Sequence, residues 1–199
     1  LAFCSTSLHN GVEMPDLKPL ERWEQMWARY DAATYTAVLD HVTPQDVVLD
    51  IGAGDLYLAR RLAARARKVY AIEIQPALLA AGANCPPNLR PICADARREP
   101  FPRDVTTAVL LMRHCTHFAL YWRKLKATNC RTLLTNARWG LGVEHIDLCA
   151  PRMPYASVTI GWYACACGGT GFIVGDPQQL KTAVAETIHE VYQCPDCAP

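Results

Sequence analysis

The stretch VVLDIGAGD, residues 47–55, decides how this chain folds. Val47, Val48 and Leu49 are consecutive apolar residues, two of them β-branched. That is the composition of a strand covered on both faces of a parallel sheet. The strand ends on an acid, Asp50, and runs into Gly52 and Gly54. Glycine lets the backbone turn sharply and leaves room for a ligand to lie against it. LYLARRLAARA, residues 56–66, then follows helical spacing. Strand, glycine turn and helix in this order open a nucleotide-binding α/β unit.

Details narrow the ligand. A dinucleotide fingerprint wants a small residue three positions after the second glycine, and this chain has Tyr57 there. Asp50 also sits badly beside a pyrophosphate and suits a ligand that carries an ammonium or sulfonium cation. VYAIEI, residues 69–74, reads as a second strand ending on Glu73, placed to accept both hydrogen bonds of a ribose diol. PICADAR, residues 91–97, reads as a third strand ending at Asp95. Either acid alone reads equally well as a solvated strand-end charge. Three acids at successive strand ends favour nucleotide binding.

The segment resembles motif I of the class I S-adenosylmethionine-dependent methyltransferases, which place an acid and then Gly-x-Gly at this corner. The family's commonest form has a further glycine where this chain has Leu56. The resemblance implies S-adenosylmethionine as cofactor, held by Asp50, Gly52, Gly54, Glu73 and Asp95, the last near the adenine amine. The longer run DIGAGDLYLARRLAARARKVYAIEIQPALL, residues 50–79, is similar to the first half of the rRNA adenine dimethyltransferases. That similarity implies an RNA acceptor, with rRNA adenine as its type.

The expected fold is α/β: a Rossmann-like parallel sheet with helices on both faces, plus a small C-terminal zinc-binding appendage. Residues 1–18 are expected to be disordered, in part because the chain opens on Leu1 and Met14 directly precedes the first structured-looking segment. Residues 19–150 would form the cofactor domain and 151–199 the appendage. Helices are expected over 19–42, 55–67, 76–84 and 117–127. Strands are expected over 46–51, 68–74, 89–94, 105–112 and 130–136. In the first helix Trp23, Met26, Trp27, Tyr30, Val38 and Leu39 recur at helical spacing, the pattern of a core-facing stripe.

The end of the fourth strand bears on chemistry, because ligands lie in the crevice outside strand carboxyl ends. Methyltransferases acting on base amines often carry Asn or Asp, Pro, Pro and an aromatic residue there. This chain has LLMRHCTHF, residues 110–118. Arg113 is a candidate to hold an anion, and His114 or His117 to accept a proton. Cys115 carries no mark of activation. An ordinary strand end and helix start is the plainer alternative.

A separate signal closes the chain. Cys165-x-Cys167-Gly168-Gly169 is followed, after a spacer, by Cys194-Pro-Asp-Cys197. Two cysteine pairs at knuckle spacing, one beside a glycine pair that can take positive φ, are what a tetrahedral thiolate zinc site needs. Four cysteines leave no open position for substrate, so the expected role is structural. Two disulfides in a secreted protein, or unligated thiols, are the alternatives. In the spacer TGFIVG is expected to be a strand, and Asp176-Pro177 a helix start ahead of QQLKTAVAETIHEVY.

Composition fits these readings. Hydrophobic residues make up 51% of the 199, enough to fill a core. No apolar run reaches membrane-spanning length, and LAFCSTSLHNGVE lacks the layout of a secretory signal. The ten cysteines are mostly scattered in apolar segments, where a free thiol is a small core residue, and a reduced cytoplasmic setting is expected. Net charge is only +1. Between residues 58 and 138, however, the acids are Glu73, Asp95, Glu99 and Asp104 against a far larger set of arginines and lysines. A basic middle suits a phosphate-bearing partner such as RNA, and a solvated surface is the bland alternative. The functional expectation is a methyltransferase. Its rival is a non-catalytic protein that keeps the cofactor fold and docks on RNA or protein through its zinc unit.

Overall fold

A computed structural model describes residues 28–80, 84–113, 115–179 and 186–197. Four helices and ten strands are used below: α1 (Ala32–Leu39), β1 (Val47–Ile51), α2 (Tyr57–Ala63), β2 (Lys68–Glu73), α3 (Pro76–Ala80), β3 (Leu89–Cys93), β4 (Thr107–Leu110), α4 (Phe118–Lys126), β5 (Thr132–Thr135), β6 (Glu144–Asp147), β7 (Met153–Pro154), β8 (Gly161–Cys165), β9 (Thr170–Ile173) and β10 (Ile188–Tyr192).

The first six strands form one sheet in the order β3-β2-β1-β4-β5-β6. β1 lies at its centre, parallel to β2 and β4. All five of its residues are buried, as its apolar run demands. Val47, Leu49 and Ile51 pack with Phe118, Tyr121, Trp122 and Leu125 of α4 on one face. Val48 packs with Val38 and Leu39 of α1 and with Leu58, Ala59 and Leu62 of α2 on the other. Period-two alternation thus separates two apolar layers, and each buried Val, Leu or Ile contributes about 1.5–3 kcal/mol.

The sheet is mixed, not wholly parallel. β6 runs antiparallel to β5, pairing Thr135 with Glu144 and Thr132 with Asp147. A short turn with Gly140 and Gly142 at positive φ reverses the chain there. This edge strand has only four residues and little alternation, so the sequence offered no strand signal for it. The first helix is described over Ala32–Leu39, where Asp31 caps it by accepting from the Thr34 N–H at 2.7 Å. Trp23, Met26 and Trp27 lie outside the described residues.

The C-terminal part builds a second sheet, ordered β7-β10-β8-β9. β8 and β9 form an antiparallel hairpin, and β10 runs parallel to both β8 and β7. The helix expected to follow Asp176-Pro177 through QQLKTAVAETIHEVY is corrected at its two ends, while residues 180–185 lie outside the described residues. Pro177–Gln179 is a single 3-10 turn, with the Gln178 N–H bonded to Asp176 at 2.9 Å, and Ile188–Tyr192 is a strand. Val191 pairs with Cys165 in the middle of the sheet and is fully buried. The gain from filling that position outweighs the helical spacing of the local sequence. The second core is small: Val158, Tyr163, Cys165, Val191 and Cys194.

Contacts among the described residues join the sheets. The Arg138 side chain, 2% exposed, bonds Glu144 of β6 and Glu190 of β10, each at 2.6 Å. The Arg152 guanidinium lies 4.3 Å above the ring of Trp122 on α4. Trp139 meets Trp162 of β8 edge-on at 5.7 Å, and Trp162 meets Phe172 of β9 at 5.0 Å. Among the described residues no helix is long and apolar enough to cross a membrane.

Candidate functional site

The carboxyl ends of β1, β2 and β3 bring together the residues singled out at residues 47–95. Gly52 and Gly54 both take positive φ. The N–H groups of Gly52 and Ala53 donate to the Ile72 carbonyl at 2.9 and 3.0 Å, which folds the turn against β2. Glu73 completes it. One of its carboxylate oxygens accepts from the Gly54 N–H and the other from the Gln75 N–H, both at 2.9 Å. Gly52 takes φ +75°, a conformation that strains any other residue, and a side chain there would also place its Cβ 3.2 Å from Met112 Cε.

Leu56 stands where the commonest form of motif I has another glycine, and its backbone keeps the glycine conformation, at φ 64° and ψ 13°. A left-handed leucine costs about 1–2 kcal/mol. Complete burial of its side chain in the α1–α2 layer offsets that cost.

Asp50 is 4% exposed, and its Oδ2 has no hydrogen-bond partner. Burial first, and the Glu73 charge second, push its carboxyl up to about 7. A buried acid left in this state is stabilised by an incoming cation. Asp95 differs. It accepts from the Arg97 backbone N–H and from Arg97 Nε, both at 2.9 Å. Burial works to raise its pKa, but these hydrogen bonds outweigh it and hold the carboxyl below its ordinary value. Arg97 Nη1 in turn lies 3.4 Å from His117 Nε2.

The end of β4 is only partly described. His114 lies outside the described residues. Arg113 is exposed, its backbone N–H donates to the Tyr30 hydroxyl at 3.3 Å, and its guanidinium sits 5.1 Å over the Tyr30 ring. One residue the sequence did not single out lies at the end of the neighbouring strand β5. Asn136, one step beyond β5, is 1% exposed, and neither atom of its side-chain amide has a hydrogen-bond partner. An asparagine at the carboxyl end of the expected fifth strand was the available signal.

A model of the methyltransferase domain family matches residues 48–136. Residues 48–136 thus form a class I S-adenosylmethionine-dependent methyltransferase domain. It is related to the rRNA adenine dimethyltransferases. The domain is similar to the probable ribosomal RNA small subunit methyltransferase A of Methanosarcina mazei, with 44% identity over 64 residues, 31% of this chain and 24% of that protein. The same-named protein of Methanosarcina acetivorans is 41% identical over 68 residues, 33% of this chain and 25% of its own. The chain therefore spans about a quarter of the length of the curated relatives it matches. A dimethyladenosine transferase from Plasmodium falciparum superposes with a TM-score of 0.48 at 18% identity, covering 53% of this chain and 41% of that one.

The four cysteines form a second centre, outside the matched segment. The sulfur atoms of Cys165, Cys167, Cys194 and Cys197 all lie within 4.8 Å of one another. Cys165–Cys197, Cys167–Cys194 and Cys194–Cys197 are 3.5, 3.4 and 3.9 Å apart. A tetrahedral zinc with Zn–S bonds of about 2.3 Å sets its thiolates about 3.8 Å apart, so this donor set fits that ion. A disulfide needs sulfurs about 2.05 Å apart and does not match. Gly168 takes φ +103°, as expected beside a ligand, but beside the second pair the positive φ falls on Gln193. Gly169 serves by having no side chain: its Cβ would lie 2.5 Å from an Asp196 oxygen and 3.0 Å from Cys194 Sγ.

The basic stretch is not a uniform surface. Arg65, Arg67, Arg90, Arg98, Arg103, Arg113, Arg123 and Arg131 are exposed. Arg138 is the buried link between the sheets, and Lys124 Nζ is tied to the carbonyls of Ala96 and Glu99.

Proposed function

We propose that the chain is a methyltransferase that uses S-adenosylmethionine, with RNA as acceptor, rRNA adenine the favoured target and the cytoplasm its setting. The observation that carries this reading is Asp50 on β1, a buried carboxyl with an unpartnered oxygen close to Gly52, with Glu73 at the end of the neighbouring β2 and Asp95 just past β3. When bound, the cofactor supplies a methyl group activated on a sulfonium. Asp50 would hold the cationic end of that ligand, Gly52 and Gly54 would let it approach the backbone, Glu73 would accept the ribose hydroxyls and Asp95 would lie near the adenine amine. On the acceptor side Arg113 would hold a phosphate, and His114 or His117 would take up the released proton. Asn136 would orient the acceptor. The protein's main contribution is alignment and exclusion of water, which supplies about 7–11 kcal/mol in favourable cases.

Residues 151–199 form, in this reading, an appendage held by one structural zinc ion on Cys165, Cys167, Cys194 and Cys197, separate from a cofactor domain over 19–150. The exposed arginines give the RNA a phosphate-binding surface. Incubating the zinc-loaded chain with S-adenosylmethionine and total RNA tests the activity. Formation of S-adenosylhomocysteine that depends on the RNA is the expected result. The second reading, cofactor binding without transfer, has one observation in its favour, the absence of an amine-gripping motif at the end of β4. Tight cofactor binding with no product under any acceptor would replace the first reading by the second.

A further inference from the structure

We propose that the cysteine cluster positions the acceptor side of the cofactor site, so that metal loading and cofactor affinity are coupled through Phe118. This rests on the metal and cofactor readings above. The first observation is the contact between the Cys165–Gly169 turn and α4. The Cβ position of Gly168 lies 3.2 Å from Phe118 Cβ, 3.3 Å from its Cδ1 and 3.4 Å from its Cγ. Gly168 therefore sits directly on the first residue of that helix. Phe118 is 3% exposed, and Ala166, between the two cysteines of the turn, packs against the same core.

The second observation is what Phe118 precedes and follows. His117, the residue before it, lies against Arg97, and Arg97 holds Asp95. Met112, at the other end of the same connection, lies against Gly52. The start of α4 is thus held on one side by the cysteine turn and on the other, through His117, by Arg97, the partner of Asp95. The third observation is that the second sheet has few apolar residues to hold the turn unaided. A metal ion binding four thiolates fixes the turn. Without it the turn loosens, Phe118 loses its floor, and His117 with the Arg97–Asp95 pair loses its reference position. Coupling between two sites requires an element whose arrangement both bias, and the Gly168–Phe118 contact is that element.

The test uses the full chain, zinc-loaded and chelator-stripped, with S-adenosylhomocysteine as probe. Stripping is expected to speed amide exchange in peptides covering 115–122 as well as 161–197, with β1 unchanged. It is also expected to weaken the probe about tenfold, within the usual range of allosteric coupling. Phe118→Leu and Gly168→Ala leave all four cysteines in place. Each should still hold one zinc per chain, bind the probe more weakly than wild type when loaded, and lose little more on stripping. Exchange changes confined to 161–197 with equal probe affinity in both states would overturn the coupling alone. So would a Phe118→Leu protein with the full wild-type metal dependence. A wild-type chain that holds no zinc, or that binds no probe in either state, would overturn the coupling together with the metal or the cofactor reading.

Discussion

The corner around Asp50 and the cluster around Cys165 are both polar sites, but they are held in opposite ways. The corner is built into the centre of a six-stranded sheet with apolar layers on both faces, and its turn is closed by the protein's own carboxylate, Glu73. The cluster rests on a five-residue core at one end of a small sheet. A large core can keep an uncomfortable group such as Asp50 in place, because the remaining burial outweighs its cost. A small core cannot preorganise four thiols, so the ligand must do the organising.

Metal removal should give the largest effect. Structural zinc supplies about 10–16 kcal/mol of apparent binding free energy in small domains. Chelation, or Cys194→Ser, is expected to melt the second sheet first, leaving the main sheet to unfold separately at higher temperature. Scanning calorimetry with elemental analysis checks this, and a protein with no stoichiometric metal that still melts in one step would contradict it. Cys85→Ser serves as a control expected to change neither observable.

The link between the regions comes next. Arg138→Ala would strand Glu144, already raised by burial, and leave Glu190 with Arg152 as its remaining partner. Breaking a buried pair costs about 3–5 kcal/mol, here toward the lower end because Glu190 is partly exposed. Urea unfolding would show it, and a loss under about 1 kcal/mol would mean that the sheets are not coupled through this side chain.

Asp50 separates the two regions by pH. Its carboxyl is raised to about 7 in the fold. Between the unfolded value near 4 and 7 the folded state therefore binds more protons than the unfolded state. Stability of the free protein should fall as pH rises through that window, by at most about 4 kcal/mol, and level off above 7. A cationic ligand favours the carboxylate, so affinity for S-adenosylmethionine should rise over the same window. Asp50→Asn should remove both pH dependences while weakening the ligand. Calorimetric titrations at pH 5.5 and pH 8 decide it, and equal wild-type affinity at both would rule out a titrating Asp50.

The smallest expected effect is at Glu73. Glu73→Gln exchanges one accepting oxygen for a donor and should weaken S-adenosylmethionine by about 1–3 kcal/mol. A ligand analogue lacking the ribose hydroxyls should lose less. If the variant discriminates the analogue as strongly as wild type does, Glu73 serves the turn and not the ribose.

Most of the corner was legible in the sequence because its signals are local. An apolar run ending on an acid, a Gly-x-Gly turn and two further strand ends each occupy fewer than ten residues, and backbone geometry dictates each of them. The cysteine spacing was legible for the same reason. What escaped depends on distant partners. QQLKTAVAETIHEVY has helical spacing, yet Ile188–Tyr192 fills the gap between β7 and β8. Arg138 looks like any basic surface residue until Glu144 and Glu190 close around it. Nothing local marks Glu144–Asp147 as an edge strand or Asn136 as buried.

The edge-on pair of Trp139 and Trp162 joins the two sheets through groups that absorb light. Two indoles this close share their excited states, and the near-ultraviolet circular dichroism of such a pair depends steeply on the angle between the rings. The molecule thus carries its own optical gauge of the seam. A shift of one sheet against the other would change sign or amplitude in that band before any secondary structure is lost, with no label attached.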